Sequence, residues 1–279
     1  MKTVFETLQK QYQIGELTPN SHQLIGTVEP PLPTDIATLP PNNSSLYKEW
    51  TLLGQEAVNN KQVGAIVLAG GMATRFQYEQ PKGLFPILDE HTFLELKILA
   101  FKPYQIPIYL MTSFHTHQPT LDYLVEHQFF DYQDQIHLFQ QYQMPRLNQD
   151  GTTHPEFAAA GHGDFVQALQ ETALLQKFID QGGRYFLFSN IDNLGASFDP
   201  TLLGFHISQG KDMTIEVAQK IPGDKGGAPA RVNHRLQLVE GFLFPKDFDQ
   251  DLIPVFNTAT YIFSASALTS PIELPWYAV

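Results

Sequence analysis

The chain contains no cysteine, which excludes disulfides, a thiolate nucleophile and thiolate-ligated zinc. Cations are scarce: Lys and Arg total 17 against 29 Asp and Glu, a formal charge of −12. A surface of that sign opposes general nucleic-acid binding and docking on anionic lipid, although a few cations can still serve one phosphorylated ligand. No apolar run approaches the roughly 18 residues needed to cross a bilayer. Glu6 and Gln9 interrupt what would be the apolar core of a secretion leader. No repeat or low-complexity segment is visible. What is present is 43% hydrophobic and 12% aromatic residues over 279 positions, enough to bury a core. The expectation is a cytoplasmic protein with small-molecule partners, no nucleic acid and no membrane; the sequence leaves the oligomeric state open.

Residues 1–60 read as a helical lead-in and 61–279 as the main domain. Phe5, Leu8 and Tyr12 share a helical face, and Pro19–Asn43, rich in proline, predicts an extended segment wrapped over a surface. Ser45 is expected to cap a second helix carrying Leu46, Trp50, Leu53 and Ala57. From Lys61 onward short apolar runs alternate with amphipathic ones. Strands are predicted at Gly64–Ala69, Ile106–Thr112, Gln135–Gln140 and Arg184–Phe188, and helices at Thr92–Phe101, Leu121–Phe129 and Asp164–Ile179. Further strands are expected at Met213–Ala218, Leu236–Gly241 and Val255–Phe263. This alternation predicts an α/β fold, a mostly parallel or mixed sheet with flanking helices. In such folds ligands bind at the carboxyl ends of the strands, so the loops there are searched for chemistry.

The loop after the first of these strands runs Leu68-Ala-Gly-Gly-Met-Ala-Thr-Arg-Phe76, then Pro81-Lys82-Gly83. Gly70 and Gly71 let backbone amides approach phosphate oxygens, and Arg75 and Lys82 add two cations to the same turn. A bare Gly-Gly turn with solvated cations would look the same, and the Walker and dinucleotide glycine spacings are missing. The whole string, however, resembles the signature L-x-G-G-x-G-T-x-x-G…P-K of eukaryotic-type UDP-glucose pyrophosphorylases. Ala73 and Gln77 stand where that signature has glycine; Gln77 is acceptable only if its φ is not positive.

Four later segments resemble the same family in the same order, so that the likeness runs from about Trp50 to the end of the chain. Phe139–Leu147 resembles F-x-Q-x-x-x-P-R, which implies that Gln141 reads uracil; a primary amide both donates and accepts against the imide edge. Gly161-His162-Gly163-Asp164 resembles G-H-G-D, at a helix N-terminus where amides favour an anion. There Asp164 is expected to be the helix N-cap, with His162 left as the functional residue. Asn190-Ile-Asp-Asn-Leu-Gly-Ala196 resembles N-x-D-N-L-G-A, which implies a magnesium ligand in Asp192 and a nucleotide or sugar contact in Asn190. Asn193 and Gly195 are read as a capped turn. The segments around Glu240 and Phe256-Asn257-Thr258 resemble the sugar-side region, in which Glu240 and Asn257 would bond sugar hydroxyls. Ala259 stands where the glucose enzymes carry a second Asn.

The resemblance implies a Rossmann-like, glycosyltransferase-A-like nucleotidyltransferase domain, incomplete at its C-terminal end. It implies transfer of uridylyl from UTP to glucose 1-phosphate, with Mg2+ as cofactor. Leu68, Ala69, Gly70, Gly71, Lys82, Gln141, Gly161 and Asn190 would bind nucleotide, His162, Asn190, Glu240 and Asn257 sugar. Lys82 and Arg75 would serve catalysis. The family's second catalytic lysine has no counterpart here, and Lys220 and Lys225 are the first candidates to replace it. Alternatives are an N-acetylhexosamine or broad UDP-sugar pyrophosphorylase, and a nucleotide-sugar-binding protein without turnover. No G-x-S-x-G is present to support a hydrolase triad.

Overall fold

A computed structural model describes residues 2–277 apart from 19–23, 222, 225 and 273. The N-terminal part forms helix α1 (Lys2–Gln13), strand β1 (Val28–Glu29) and helix α2 (Ser45–Asn59). Ser44, not Ser45, caps α2: its hydroxyl accepts the Tyr47 N–H at 3.1 Å, because the cap must lie outside the helix it closes.

The centre is a six-stranded sheet, in which β2 (Val63–Leu68), β5 (Ile108–Thr112), β6 (Ile136–Gln140) and β9 (Tyr185–Asn190) run parallel. β10 (Met213–Gln219) and β13 (Val255–Ser264) complete it antiparallel, giving the order β10-β13-β9-β2-β5-β6. β2 is buried throughout, as a strand covered on both faces must be. Its alternate residues sort to two cores: Val63, Ala65 and Val67 to one, Ile66 and Leu68 to the other. The crossovers carry α3 (Phe93–Phe101), α4 (His117–Glu126), α5 (Phe165–Glu171), α6 (Leu174–Asp180) and α7 (Pro200–Gln209). Hairpins β3 (Pro86–Leu88) with β4 (His91–Thr92), and β7 (Gln143–Leu147) with β8 (Thr153–Ala159), stand off the sheet. A small sheet joins β1 to β11 (Ala228–Val232) and β12 (Arg235–Val239), and Arg231 clamps Asp35 with two bonds of 2.7 Å. No helix among the described residues is long and apolar enough to cross a membrane.

Two helices differ from expectation. The run 164–179 is not one helix but α5 and α6, broken where Ala173 turns left-handed at φ 58°. Leu169 and Leu175 lie about 120° apart around a straight helix; the break lets both reach the same core. The helix expected at Leu121–Phe129 ends at Glu126, and Gln128–Asp131 are all left-handed. That turn is held from outside, by the Lys102 ammonium on the Phe130 carbonyl at 2.6 Å and by packing of Phe129 and Phe130 on the core.

α2 and α7 cross backbone to backbone. A Cβ on Gly54 would collide with the Pro200 carbonyl, and one on Gly204 with the Trp50 carbonyl. Neither obstacle is a flexible side-chain end, so Gly204→Ala is expected to destabilise by about 1–3 kcal/mol in urea unfolding. An unchanged midpoint would refute the close crossing.

His206, 1% exposed on α7, ties that helix to the sheet. Ser264 donates to the Lys211 carbonyl and so accepts from Nε2, while Nδ1 accepts from Thr214 at 2.8 Å; the ring is neutral. Burial pushes its pKa down to about 4, with Asp212 pulling weakly upward. The folded value lies below the unfolded one, so this stability is complete above about pH 6.5 and is lost as pH falls toward 4. The stability difference between wild type and His206→Gln should therefore shrink by about 2–3 kcal/mol from pH 7 to 4 in urea titrations. A constant difference would show that His206 is not buried neutral.

Candidate functional site

Register builds the site. Leu68 lies beside Met111 on one side and Asn190 on the other, and Thr112 lies beside Gln140. The loops after β2, β6 and β9 therefore leave from one line at the carboxyl edge of the sheet. Ala69 continues the ladder through its N–H to Met111 O at 2.7 Å, and Gln141 through its N–H to Thr112 O at 2.9 Å. The Gln141 side chain, buried, then fills the space that a Cβ on Gly70 would need. A Cβ on Gly71 would meet only Lys82 Cε, at 3.9 Å. The two glycines thus do different things: the first admits the Gln141 amide, the second leaves open space.

The glycine loop is closed on itself. Lys82 N–H reaches Gly71 O at 2.9 Å, Ala73 N–H reaches Gln80 O at 3.1 Å, and Met72 bridges Pro81. Closure aims Lys82 at Asp192, Nζ to Oδ2 3.1 Å, across a cavity of about 300 Å³ lined also by Arg75 and Phe76. Arg75 itself is exposed. Contrary to the condition set by the sequence, Gln77 is left-handed, at φ 55°. A left-handed residue other than glycine costs about 1–2 kcal/mol.

Gly161, at φ 100°, makes the turn that presents His162. Burial, followed by the Lys82 cation, holds the His162 pKa below the usual range, so the ring is neutral. Asp164 stands at the N-cap position of α5, as expected, but its side chain makes no capping bond. Its Oδ2 accepts the Tyr142 N–H, so it ties the Gln141 loop to α5; its Oδ1 is buried without a partner, and burial pushes its pKa up to about 6. Asn190 Oδ1, at the end of β9, is the other buried acceptor without a partner among the described residues. Asn193 is the structural residue expected: it bonds Thr258 O and Thr260 Oγ1 and accepts from Ala196 N–H.

Those bonds to β13 bring the loop 190–196 next to the second cluster. Asn257 N–H reaches Gly227 O at 2.8 Å, and a Cβ on Gly227 would lie 3.4 Å from a Glu240 oxygen. Asn257 Oδ1 accepts Ala259 N–H and its Nδ2 donates to the Tyr261 hydroxyl at 2.8 Å, leaving one N–H of the amide free. Tyr261, which sequence reasoning missed, has its phenol pKa raised by burial and by the Glu240 charge. Its only sequence signal is the apolar alternation of β13. Ala259 is left-handed, φ 56°, a conformation that Asn tolerates better than Ala. Lys220 points elsewhere, to Gln250 O and Asp251; Lys225 lies outside the described residues. No three His, Asp or Glu among the described residues converge as a metal cage. Asp192 alone, opposite a phosphate-sized cavity, fits a magnesium ion that takes its other ligands from phosphates and water.

Parallel strands ending together, with a glycine loop, a cation and a carboxylate at that edge, define an α/β domain of the nucleotidyltransferase kind. The sequence profile of UTP–glucose-1-phosphate uridylyltransferase matches residues 30–271, and the chain belongs to that family. It is 30% identical over 212 residues to UTP–glucose-1-phosphate uridylyltransferase 2 of Dictyostelium discoideum, covering 70% of this chain and 42% of that one. UDP-glucose pyrophosphorylase of Leishmania major, solved as a variant with UDP-glucose, superposes with a TM-score of 0.69 at 25% identity, over 95% of this chain and 60% of that one. The UDP-N-acetylglucosamine pyrophosphorylase of Trypanosoma brucei shares the fold, with a TM-score of 0.76 at 20% identity over 95% and 58%. The chain spans about half the length of the curated relatives it matches.

The two glycines supply a paired test. If this site takes UDP-glucose as that of the Leishmania major enzyme does, Gly70→Ala should displace the Gln141 amide and lower the affinity at least about 10-fold, whereas Gly71→Ala should bind within about 3-fold of wild type. Calorimetric titration of both variants decides it; equal losses would mean that the Gly70–Gln141 contact does not shape the site.

Proposed function

We propose that the chain is the nucleotide-binding and sugar-binding part of a UTP-dependent uridylyltransferase that forms UDP-glucose and pyrophosphate from UTP and glucose 1-phosphate. The observation that carries this reading is the convergence of Gln141 beside Gly70 with the Lys82–Asp192 pair at one sheet edge. The Gln141 amide is suited to uracil because it donates to a carbonyl and accepts from the imide N–H at once. Lys82 leaves Asp192 for phosphate oxygens when the triphosphate enters, and Arg75 closes on them from the exposed side. Asn190 Oδ1 accepts a hydroxyl of ribose or sugar, which satisfies its buried oxygen. Glu240 and the free Asn257 N–H take sugar hydroxyls, and neutral His162 contributes to the sugar side without adding charge.

The sugar phosphate oxygen then attacks the α-phosphorus in line as pyrophosphate leaves on the far side. Alignment and charge stabilisation suffice for this reaction, and these residues supply both. Magnesium, held by Asp192 and the phosphates, would supply neutralisation of the phosphate charge. A cytoplasmic setting belongs to the same reading, supported by the absence of cysteine.

The test uses pyrophosphate release with UTP and a panel of sugar 1-phosphates, alongside titration with UDP-glucose. Glucose 1-phosphate should be preferred; release only with N-acetylhexosamine 1-phosphates, or binding without release, would replace this reading by the corresponding alternative. Gln141→Glu should weaken UTP binding about 10–100-fold, because a carboxylate cannot donate to uracil. Unchanged preference among nucleoside triphosphates would remove Gln141 as base reader.

A further inference from the structure

Lys97 on α3 is a charged side chain inside the core, only 2% exposed. Its neighbours on the helix, Phe93, Leu94, Ile98 and Phe101, are all buried and apolar. Removing an ammonium from water costs several kcal/mol, and such a group is retained where specific partners hold it. Two of its three N–H groups have partners: the Ser189 hydroxyl at 3.1 Å and the Ala196 carbonyl at 2.7 Å. The face of Phe101, one helical turn away, lies 6.0 Å from the same nitrogen and adds a weaker attraction.

The two partners are the points at which the loop 190–195 leaves the sheet and rejoins the core. Ser189 lies on β9 next to its last residue, and Ala196 is buried just beyond the loop. Between them stand Asn190, with its orphan oxygen, and Asp192. One ammonium therefore grips both ends of the loop that carries two proposed ligand contacts. Its charge also acts on that loop: burial draws the Lys97 pKa down to about 8, and the Asp192 carboxylate opposes the fall. The outer grip on Asp192 is the Lys82 salt bridge, and Lys82 is the cation expected to move to phosphate. The inner grip remains when the outer one is released.

Resting on the uridylyltransferase reading, we infer that Lys97 is a positioning residue: by bonding Ser189 and Ala196 together it fixes the loop that presents Asn190 and Asp192 to the nucleotide sugar and its divalent cation.

Lys97→Met keeps an unbranched side chain as far as Cε and removes both bonds and the charge. Ser189→Ala removes one bond and keeps the charge. Two measurements are made on each variant of the full chain, amide hydrogen exchange across residues 186–198 without ligand, and calorimetric titration with UDP-glucose and Mg2+. For Lys97→Met exchange in 190–196 should rise at least about 10-fold, and affinity should fall about 10–100-fold, as for other outer partners of a ligand shell. Ser189→Ala should move both readouts in the same direction and by less, which keeps the test valid if Lys97→Met does not fold. Wild-type exchange in 190–196, or raised exchange with unchanged affinity, overturns the inference. If the wild-type chain binds no UDP-glucose, the functional reading fails on that measurement alone, and the presentation of these ligands fails with it; exchange still decides the grip.

Discussion

A parallel strand can sit beside its neighbour in many registers, and each step of one residue turns every side chain to the other face. Here Leu68, Met111 and Asn190 fall on one line, with Thr112 and Gln140 on the next. In this alignment β2 sorts its alternate residues between two separate cores, Val63, Ala65 and Val67 to one and Ile66 and Leu68 to the other. Everything at the site follows from it. The glycine loop, the Gln141 loop and the Asn190–Ala196 loop all start from the carboxyl edge of the neighbouring strands β9, β2, β5 and β6, so chain segments far apart in sequence meet without long excursions.

Charge is distributed to the same end. In a chain with a formal charge of −12, Lys82, Arg75 and the buried Lys97 all lie at this edge of the sheet. The Lys82–Asp192 pair is partly exposed, with side-chain exposures of 28% and 35%, so it adds little to stability and can be exchanged for phosphate at small cost. Lys97 is the opposite case. Its partners are fixed main-chain and hydroxyl oxygens in a dry surround, and no exchange with solvent competes with them. The site thus combines one cation that can move with one that cannot.

The sheet and its ligand edge were legible because their causes are local. Val63–Leu68 is a continuous apolar run ending in two glycines, which marks both the strand and the loop that follows. The likeness of five ordered motifs to one family marked Gln141, Asn190 and Asp192 before any geometry was known. The remaining features arise from contacts between distant segments. Nothing near Asp164 in sequence says that its carboxylate will bond Tyr142 instead of capping its own helix. Nothing near Gly54 announces that it must meet the Pro200 carbonyl. Lys97 reads as one charged residue in a largely apolar helix until Ser189 and Ala196 are found bonded to it.

The left-handed residues show the same division from the other side. Gln77 and Ala259 stand where local preference disfavours positive φ, yet both adopt it. At Gln77 the N–H bonds Thr74 O, the next residue bonds Ala73 O, and Lys82 closes the loop on Gly71. At Ala259 the Asn257 side chain holds the N–H, and Thr258 bonds Glu216 O beside the register shift in β10. Each turn is fixed by several bonds, of which the residue at the strained position makes only one. Together such bonds exceed the roughly 1–2 kcal/mol that the conformation costs. A loop over-determined in this way can exchange its glycine for another residue and keep its shape. The left-handed turns at these two positions are therefore held by the bonds around them and not by the preference of the residue that makes them.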